Sequence, residues 1–238
     1  MTTPPLRIAL IGMGRMGRAI DALAAERGCT IVARLGADDM VTGLTRDVLN
    51  GAHVAIEFTQ PDVAIDNAIA CLRAGCPVVI GTTGWASRSA GLQSAVESTS
   101  VAALWSPNFS IGVQLFLAIA HDTARRFRGL TAFETHVVET HHSAKKDAPS
   151  GTGIAIADTL ATELGHAVPI SSVRVGSVPG THEIILDAPF EQIRLTHEAR
   201  DRRVFADGAL TAARWLAGVQ TSGLYTMQDV LALDSTGA

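Results

Sequence analysis

The chain has 238 residues, 47% hydrophobic and 18% charged, enough to bury a proper core as one large domain or two smaller ones. A formal net charge of −4 with no long basic run argues against nucleic-acid or anionic-membrane partners. The N-terminal "MTTPPLRIALIG" has no charged region leading into a long apolar stretch, and "IGVQLFLAIA" (111–120) is too short to span a bilayer, so a cytoplasmic protein is expected.

In chain order, "RIALIG" (7–12) is an apolar run expected as a strand buried on both faces, followed by a helix over about 15–26. "TIVARL" (30–35) and "HVAIEFT" (53–59) are the next strands, and Pro61 opens a helix to about Ala74. "PVVIGTTG" (77–84) is strand then turn. A polar-faced helix through Gln93 leads to "VAALWS" (101–106). Strands alternating with helices imply a Rossmann-type, doubly wound parallel sheet in an α/β fold.

The pattern changes after Asn108. A helix over about 111–127 leads to a strand at 133–141, a helix at 151–164, then "SSVRV", "THEIILDA" and "EQIRLTHEA" with little helix between them. This predicts a second, α+β domain with a mixed or antiparallel sheet. "FADGALTAARWLAG" (205–218) returns to helix. The expected division is 1–109 with 203–238 as one domain, and 110–202 as the other. Cys29, Cys71 and Cys76 form no CxxC pair and are expected as buried free thiols. His136, Glu139, His141, His182 and His197 could suggest a metal site, but no HExxH or comparable ligand spacing marks one.

"GMGRMG" places Gly12, Gly14 and Gly17 in GxGxxG spacing, directly after an apolar strand and at the start of a helix. Gly12 permits the turn, Gly14 lets a pyrophosphate reach the backbone, and Gly17 lets helix and strand pack closely. The helix N-terminus supplies N–H groups for the anion. The acidic residue usual after the second strand of NAD sites is absent: the position reads Gly36, with Asp38 and Asp39 slightly beyond. Arg15, Arg18 and Arg34 can instead meet a 2′-phosphate, or lie solvated at the surface; the expected cofactor is NADPH, NADH or both. "GTTG" (81–84) and "SPNF" (106–109) end two further strands, where they either line the nucleotide crevice or serve as plain turns.

"ETHHSAKKDAPSGTG" (139–153) holds the densest chemistry. On a strand Glu139 and His141 share one face. Ser150 or Thr152 then caps a second helix whose free N–H groups suit a carboxylate. His can exchange a proton near neutral pH, and Lys can neutralise a carboxylate or donate a proton. Lys145 and Lys146 can equally be solvated.

These residues, with "IEFTQP", "GTTG", "SPNFSIGV", "THEARDR" and "FADGALTAARWLAG", resemble the dihydrodipicolinate reductase family in order and over nearly the whole chain. The resemblance implies NADPH- or NADH-dependent reduction of 4-hydroxy-tetrahydrodipicolinate, a small dicarboxylate, to tetrahydrodipicolinate in the diaminopimelate route to lysine. It implies His141 and Lys145 as catalytic proton handlers, and His142, Ser150, Gly151 and Thr152 as substrate contacts. Gly12, Met13, Gly14, Arg15, Met16 and Gly17 would hold the cofactor, with Gly81, Thr82, Thr83, Ser106, Pro107, Asn108 and Phe109. Arg202 is placed as an interdomain arginine, and the family's homotetramers are built through the second domain's sheet. Val173 to Arg194 is shorter than in longer members. A methyltransferase or a non-catalytic NADP sensor would share the glycine turn, but neither needs the segment 139–153.

Overall fold

A computed structural model describes residues 4–36, 39 and 43–233. The chain divides into two compact units, Met1–Ser110 with Arg203–Ala238, and Ile111–Arg202. The first begins with β1 (Leu6–Ile11), α1 (Arg15–Ala24), β2 (Cys29–Leu35), β3 (Val54–Glu57), α2 (Pro61–Arg73), β4 (Val78–Ile80), α3 (Ser89–Thr99) and β5 (Ala103–Trp105). Every residue of Ile8–Ile11, Val54–Ile56 and Val78–Ile80 is at most 1% exposed. Strands apolar on both faces need cover on both, and parallel pairing with helical crossovers supplies it. Ile65 and Leu72 of α2 and Leu92 of α3 pack with Val78 and Ile80 in one core. Pro61 begins α2 at a position where its missing N–H costs nothing. The three cysteines are free and buried.

The second unit holds α4 (Ile111–Phe127), β6 (Glu134–His141), α5 (Gly151–Leu164), β7 (Ile170–Arg174), β8 (Thr181–Ala188) and β9 (Glu191–Glu198). Its sheet runs β7-β6-β8-β9; β6 and β7 are parallel, and the other two pairs are antiparallel. Side chains alternate with the period of two expected of a sheet covered on one face. Val137, Ile184 and Leu186 face inward onto Phe116 of α4 and Ile156 and Leu160 of α5. Their neighbours His136, Val138 and Ile185 are only half-buried.

The chain then returns to the first unit with α6 (Arg203–Gly218), β10 (Leu224–Tyr225) and α7 (Met227–Val230). Small buried residues, Ala206, Ala209, Ala212 and Ala213, let α6 pack against α1 and β3 to β5. β10 pairs in parallel with β5, completing the order β10-β5-β4-β3-β1-β2. This sixth strand was not expected from the sequence: two residues are too few to show a period. Thr226 and Asp229 close α7 with a reciprocal capping box.

Candidate active site

In the first unit β1 lies between β2 and β3, so the order reverses beside it. Ligands bind open α/β sheets at such a point, beyond the carboxyl ends of the strands. A pocket of about 670 Å³ lies there, lined by Gly12–Met16, Gly36, Phe58–Pro61, Val63, Asn67 and Gly81–Thr83. Gly12 has φ +95°, and a Cβ on Gly17 would lie 2.0 Å from the Gly12 carbonyl oxygen, so β1 and α1 close together only with glycine at both positions. Gly14 is the N-cap of α1 with no side-chain hydrogen bond, and nothing lies within 4 Å of where its Cβ would be. An uncapped helix start with open space before it fits a pyrophosphate.

Of the expected cofactor residues, Gly12–Met16 and Gly81–Thr83 line this pocket, while Gly17 packs beneath it. Ser106, Pro107, Asn108 and Phe109 do not line it. Their polar groups serve their own turn: the Ser106 hydroxyl donates to the Asn108 carbonyl at 2.7 Å, and Asn108 Oδ1 accepts the Ser110 N–H at 2.9 Å. Phe109 packs on the lining residue Phe58, ring edge to face at 5.8 Å. Arg34 is committed to Asp21 at 2.8 and 2.6 Å, and Arg18 is exposed away from the lining, which leaves Arg15 as the lining arginine. Asp39 accepts the Gly36 N–H at 2.8 Å; Asp38 lies outside the described residues.

The sequence reading missed Phe58 to Pro61 as pocket lining. Thr59 N–H donates to Glu57 Oε1 at 2.9 Å and to Thr82 Oγ1 at 2.8 Å, tying the ends of β3 and β4 together. Glu57 is fully buried, and burial pushes its carboxyl up although the Thr59 and Thr82 hydroxyls pull it down. The signal was the polar "TQP" directly after an apolar strand.

In the second unit β6 ends at His141, and the chain turns through a cis Ala148–Pro149 bond to Ser150. Ser150 caps α5, its hydroxyl oxygen accepting the Gly153 N–H at 3.0 Å. Gly151 and Thr152 form the first turn. Lys145 Nζ is held by both Asp147 oxygens, at 2.7 and 2.8 Å, and this contact lowers the Asp147 carboxyl. His142 is half-buried, Lys146 is exposed, and Arg202 is exposed in the turn before α6.

Sheet pairing brings together residues far apart in the sequence. Register sets Arg174 of β7 opposite His141, and His182 of β8 opposite Glu139. His141 Nδ1 is hydrogen-bonded to Glu139 Oε2. Burial lowers the His141 imidazole, with Glu139 opposing it. Glu139 is wholly buried; burial alone would raise its carboxyl, but bonds from Arg174, Ser172, His141 and the Ser150 N–H bring it down to about 2.

His182 is 4% exposed, its Nε2 lies 3.4 Å from Ser150 Oγ, and its ring stands edge-on to His141 at 5.2 Å. Burial, then His141 and His197, lowers it to about 4. The unfolded chain binds this proton near pH 6.5 and the folded chain only near 4, so the stability contribution is full above 6.5 and lost as pH falls towards 4. The shift corresponds to about 3 kcal/mol. Urea midpoints are expected to fall steeply between about pH 7 and 4.5, and His182→Gln is expected to flatten the fall. An unchanged slope in the variant would sink this assignment.

A doubly wound sheet with a glycine turn at its switch point makes the first unit a nicotinamide-dinucleotide-binding Rossmann domain, the class of domain found in dehydrogenases and reductases. Residues 6–109 match the family described as "Dihydrodipicolinate reductase, N-terminus", and residues 112–231 match "Dihydrodipicolinate reductase, C-terminus". The chain belongs to the dihydrodipicolinate reductase family. It is 34% identical over 238 residues to a 4-hydroxy-tetrahydrodipicolinate reductase of Christiangramia forsetii, covering 95% of this chain and 98% of that one. A protein of the same name from Thiobacillus denitrificans is 33% identical over 268 residues, covering 96% and 99%. A dipicolinate-bound dihydrodipicolinate reductase from Paenisporosarcina sp. TG-14 shares the fold with TM-score 0.76 over 93% of this chain and 97% of that one, at 21% identity.

Proposed function

We propose that this protein is an enzyme that reduces 4-hydroxy-tetrahydrodipicolinate to tetrahydrodipicolinate in the diaminopimelate route of lysine biosynthesis. Family membership over both halves of the chain supports this, and one observation carries it: Ser150, capping α5, stands between the His141–Glu139 pair and a helix start suited to a carboxylate. In the net reaction the C4 hydroxyl leaves as water, a hydride takes its place, and one proton is consumed. The nicotinamide supplies the hydride when bound. Gly12 to Met16 and Gly81 to Thr83 hold its nucleotide. Gly151 and Thr152 receive a substrate carboxylate at the α5 N-terminus, and His142 contacts the same substrate. Lys145, exchanging Asp147 for that carboxylate, and His141 move the protons.

Both nicotinamides are proposed as cofactors, with NADPH favoured. Gly36 replaces the usual acid and Arg15 lines the pocket, whereas Asp39 nearby keeps NADH usable. The half-exposed outer face of the second sheet, around Val138 and Ile185, supports a homotetramer. Purified protein given the product of the upstream synthase is expected to oxidise NADPH with the higher kcat/KM and NADH with the lower, and to sediment as four chains. No turnover with either, where a known reductase works, would refute the activity.

A further inference from the structure

We infer that Glu139, clamped by Arg174, is a positioning residue that fixes His141 in the Nδ1–H tautomer and sets the start of α5 against it. The role rests on the activity proposed above, and the geometry that carries it lies wholly within the second unit. Glu139 and His141 are two residues apart on β6, so both point into the covered face of the sheet. Glu139 Oε2 meets His141 Nδ1, while Oε1 accepts the Ser150 N–H at 3.2 Å. One carboxylate thus binds both the proposed proton carrier and the N-cap of the helix proposed to hold substrate.

Arg174 holds that carboxylate from β7, with Nη1 donating to Oε2 at 3.0 Å and Nη2 to Oε1 at 2.7 Å. Nη2 also donates to the Asp147 carbonyl at 2.5 Å, which ties in the loop carrying Lys145. A two-pronged guanidinium fixes the plane of the carboxylate as well as its charge. The same guanidinium, with the other bonds to Glu139, holds its carboxyl well below the usual carboxylate range, so it is ionised near neutral pH.

An ionised carboxylate only accepts hydrogen bonds. The neutral His141 therefore carries its proton on Nδ1 and presents a lone pair at Nε2; the protonated ring presents Nε2–H. At Nε2 the chain places Gly180, where an added Cβ would come within 3.0 Å of that nitrogen. Glycine here spares this edge of the ring a close contact. The groups that face the imidazole are Glu139 on its own strand, Arg174 on β7, His182 on β8 with His197 behind it, and Lys145 in the following loop. Glu139 is the acceptor among them at Nδ1.

Glu139→Gln tests the assignment. Arg174 and the Ser150 N–H both demand an acceptor, so the glutamine oxygen turns to them and its NH₂ group turns to His141. That orientation requires a bare Nδ1 and moves the ring proton to Nε2. Histidine ¹⁵N spectra, with the His141 signal assigned by its loss in His141→Gln, are expected to show Nδ1–H in the wild type near neutral pH and Nε2–H in the variant. The kcat is expected to fall about 100-fold, with KM for the nicotinamide unchanged within about twofold. Wild-type His141 protonated on Nε2 alone overturns the inference even if the variant does not fold. So does a folded variant that keeps the Nδ1–H tautomer or the wild-type kcat. The spectra need no substrate: wild-type protein with the Nδ1–H tautomer and no turnover refutes the proposed activity, and the variant spectrum still decides whether Glu139 orients His141.

Discussion

Lys145→Ala is expected to lower kcat by about 10²–10⁴-fold, the range for loss of a positioned proton donor, with cofactor affinity unchanged. The same change at Lys146, one residue on, is expected to leave kcat within about twofold of wild type. The two side chains differ in surroundings. Lys145 is drawn back onto Asp147, and its side chain is 22% exposed, whereas Lys146 is exposed without a bonded partner among the described residues. Losing the Lys145–Asp147 pair costs at most about 1 kcal/mol of stability, because Asp147 is open to water. A fall in kcat with an unchanged melting temperature is therefore the diagnostic result. Equal kcat values for the two alanine variants would remove Lys145 from the mechanism.

Gly12→Ala and Gly14→Ala are expected to fail in different ways, which separates the two jobs of the glycine turn. At Gly12 a Cβ would sit 2.1 Å from the Phe58 carbonyl oxygen and 2.9 Å from Thr59 Cγ2, at φ +95°. Backbone strain and overpacking together cost about 2–5 kcal/mol, a large share of the stability of an ordinary domain. The melting temperature should drop without any cofactor present. At Gly14 the φ is −72° and the space is open, so the unliganded fold should tolerate alanine. NADPH affinity should still fall, by about 10–100-fold, because the methyl group occupies the approach to the α1 N–H groups. Thermal melts and fluorescence titration of the two variants measure both effects. Wild-type NADPH binding by Gly14→Ala would overturn the pyrophosphate assignment.

Most of the longer elements were legible in the chain. "RIALIG", "HVAIEF" and "PVVIG" are apolar without alternation because their strands are buried on both faces, and the alternation in "FETHVVETH" follows from a sheet covered on one face. The glycine turn was legible because its spacing encodes local requirements of turn and helix start. The "SPNF" turn was ambiguous for a related reason: the residue types that suit a nucleotide also suit a turn, and bonds such as Ser106 to Asn108 and Ser110 to Asn108 fit either role.

What the order of residues settled was local: element type, the turn at Gly12, the cap at Ser150, and the shared face of Glu139 and His141. Each depends on neighbours within a few positions, through backbone sterics, helix-end hydrogen bonding and strand alternation. Register across the sheet was settled only by tertiary structure. Arg174 is 35 residues from Glu139 and His182 is 43 from it, and no local rule brings them together. Packing of α4 and α5 on the sheet chose the pairing of β6 with β7 and β8 that buries Val137, Ile184 and Leu186, and the same register carried Arg174 and His182 to the Glu139–His141 pair. The charges of the site are thus positioned by the burial of the apolar side chains between them.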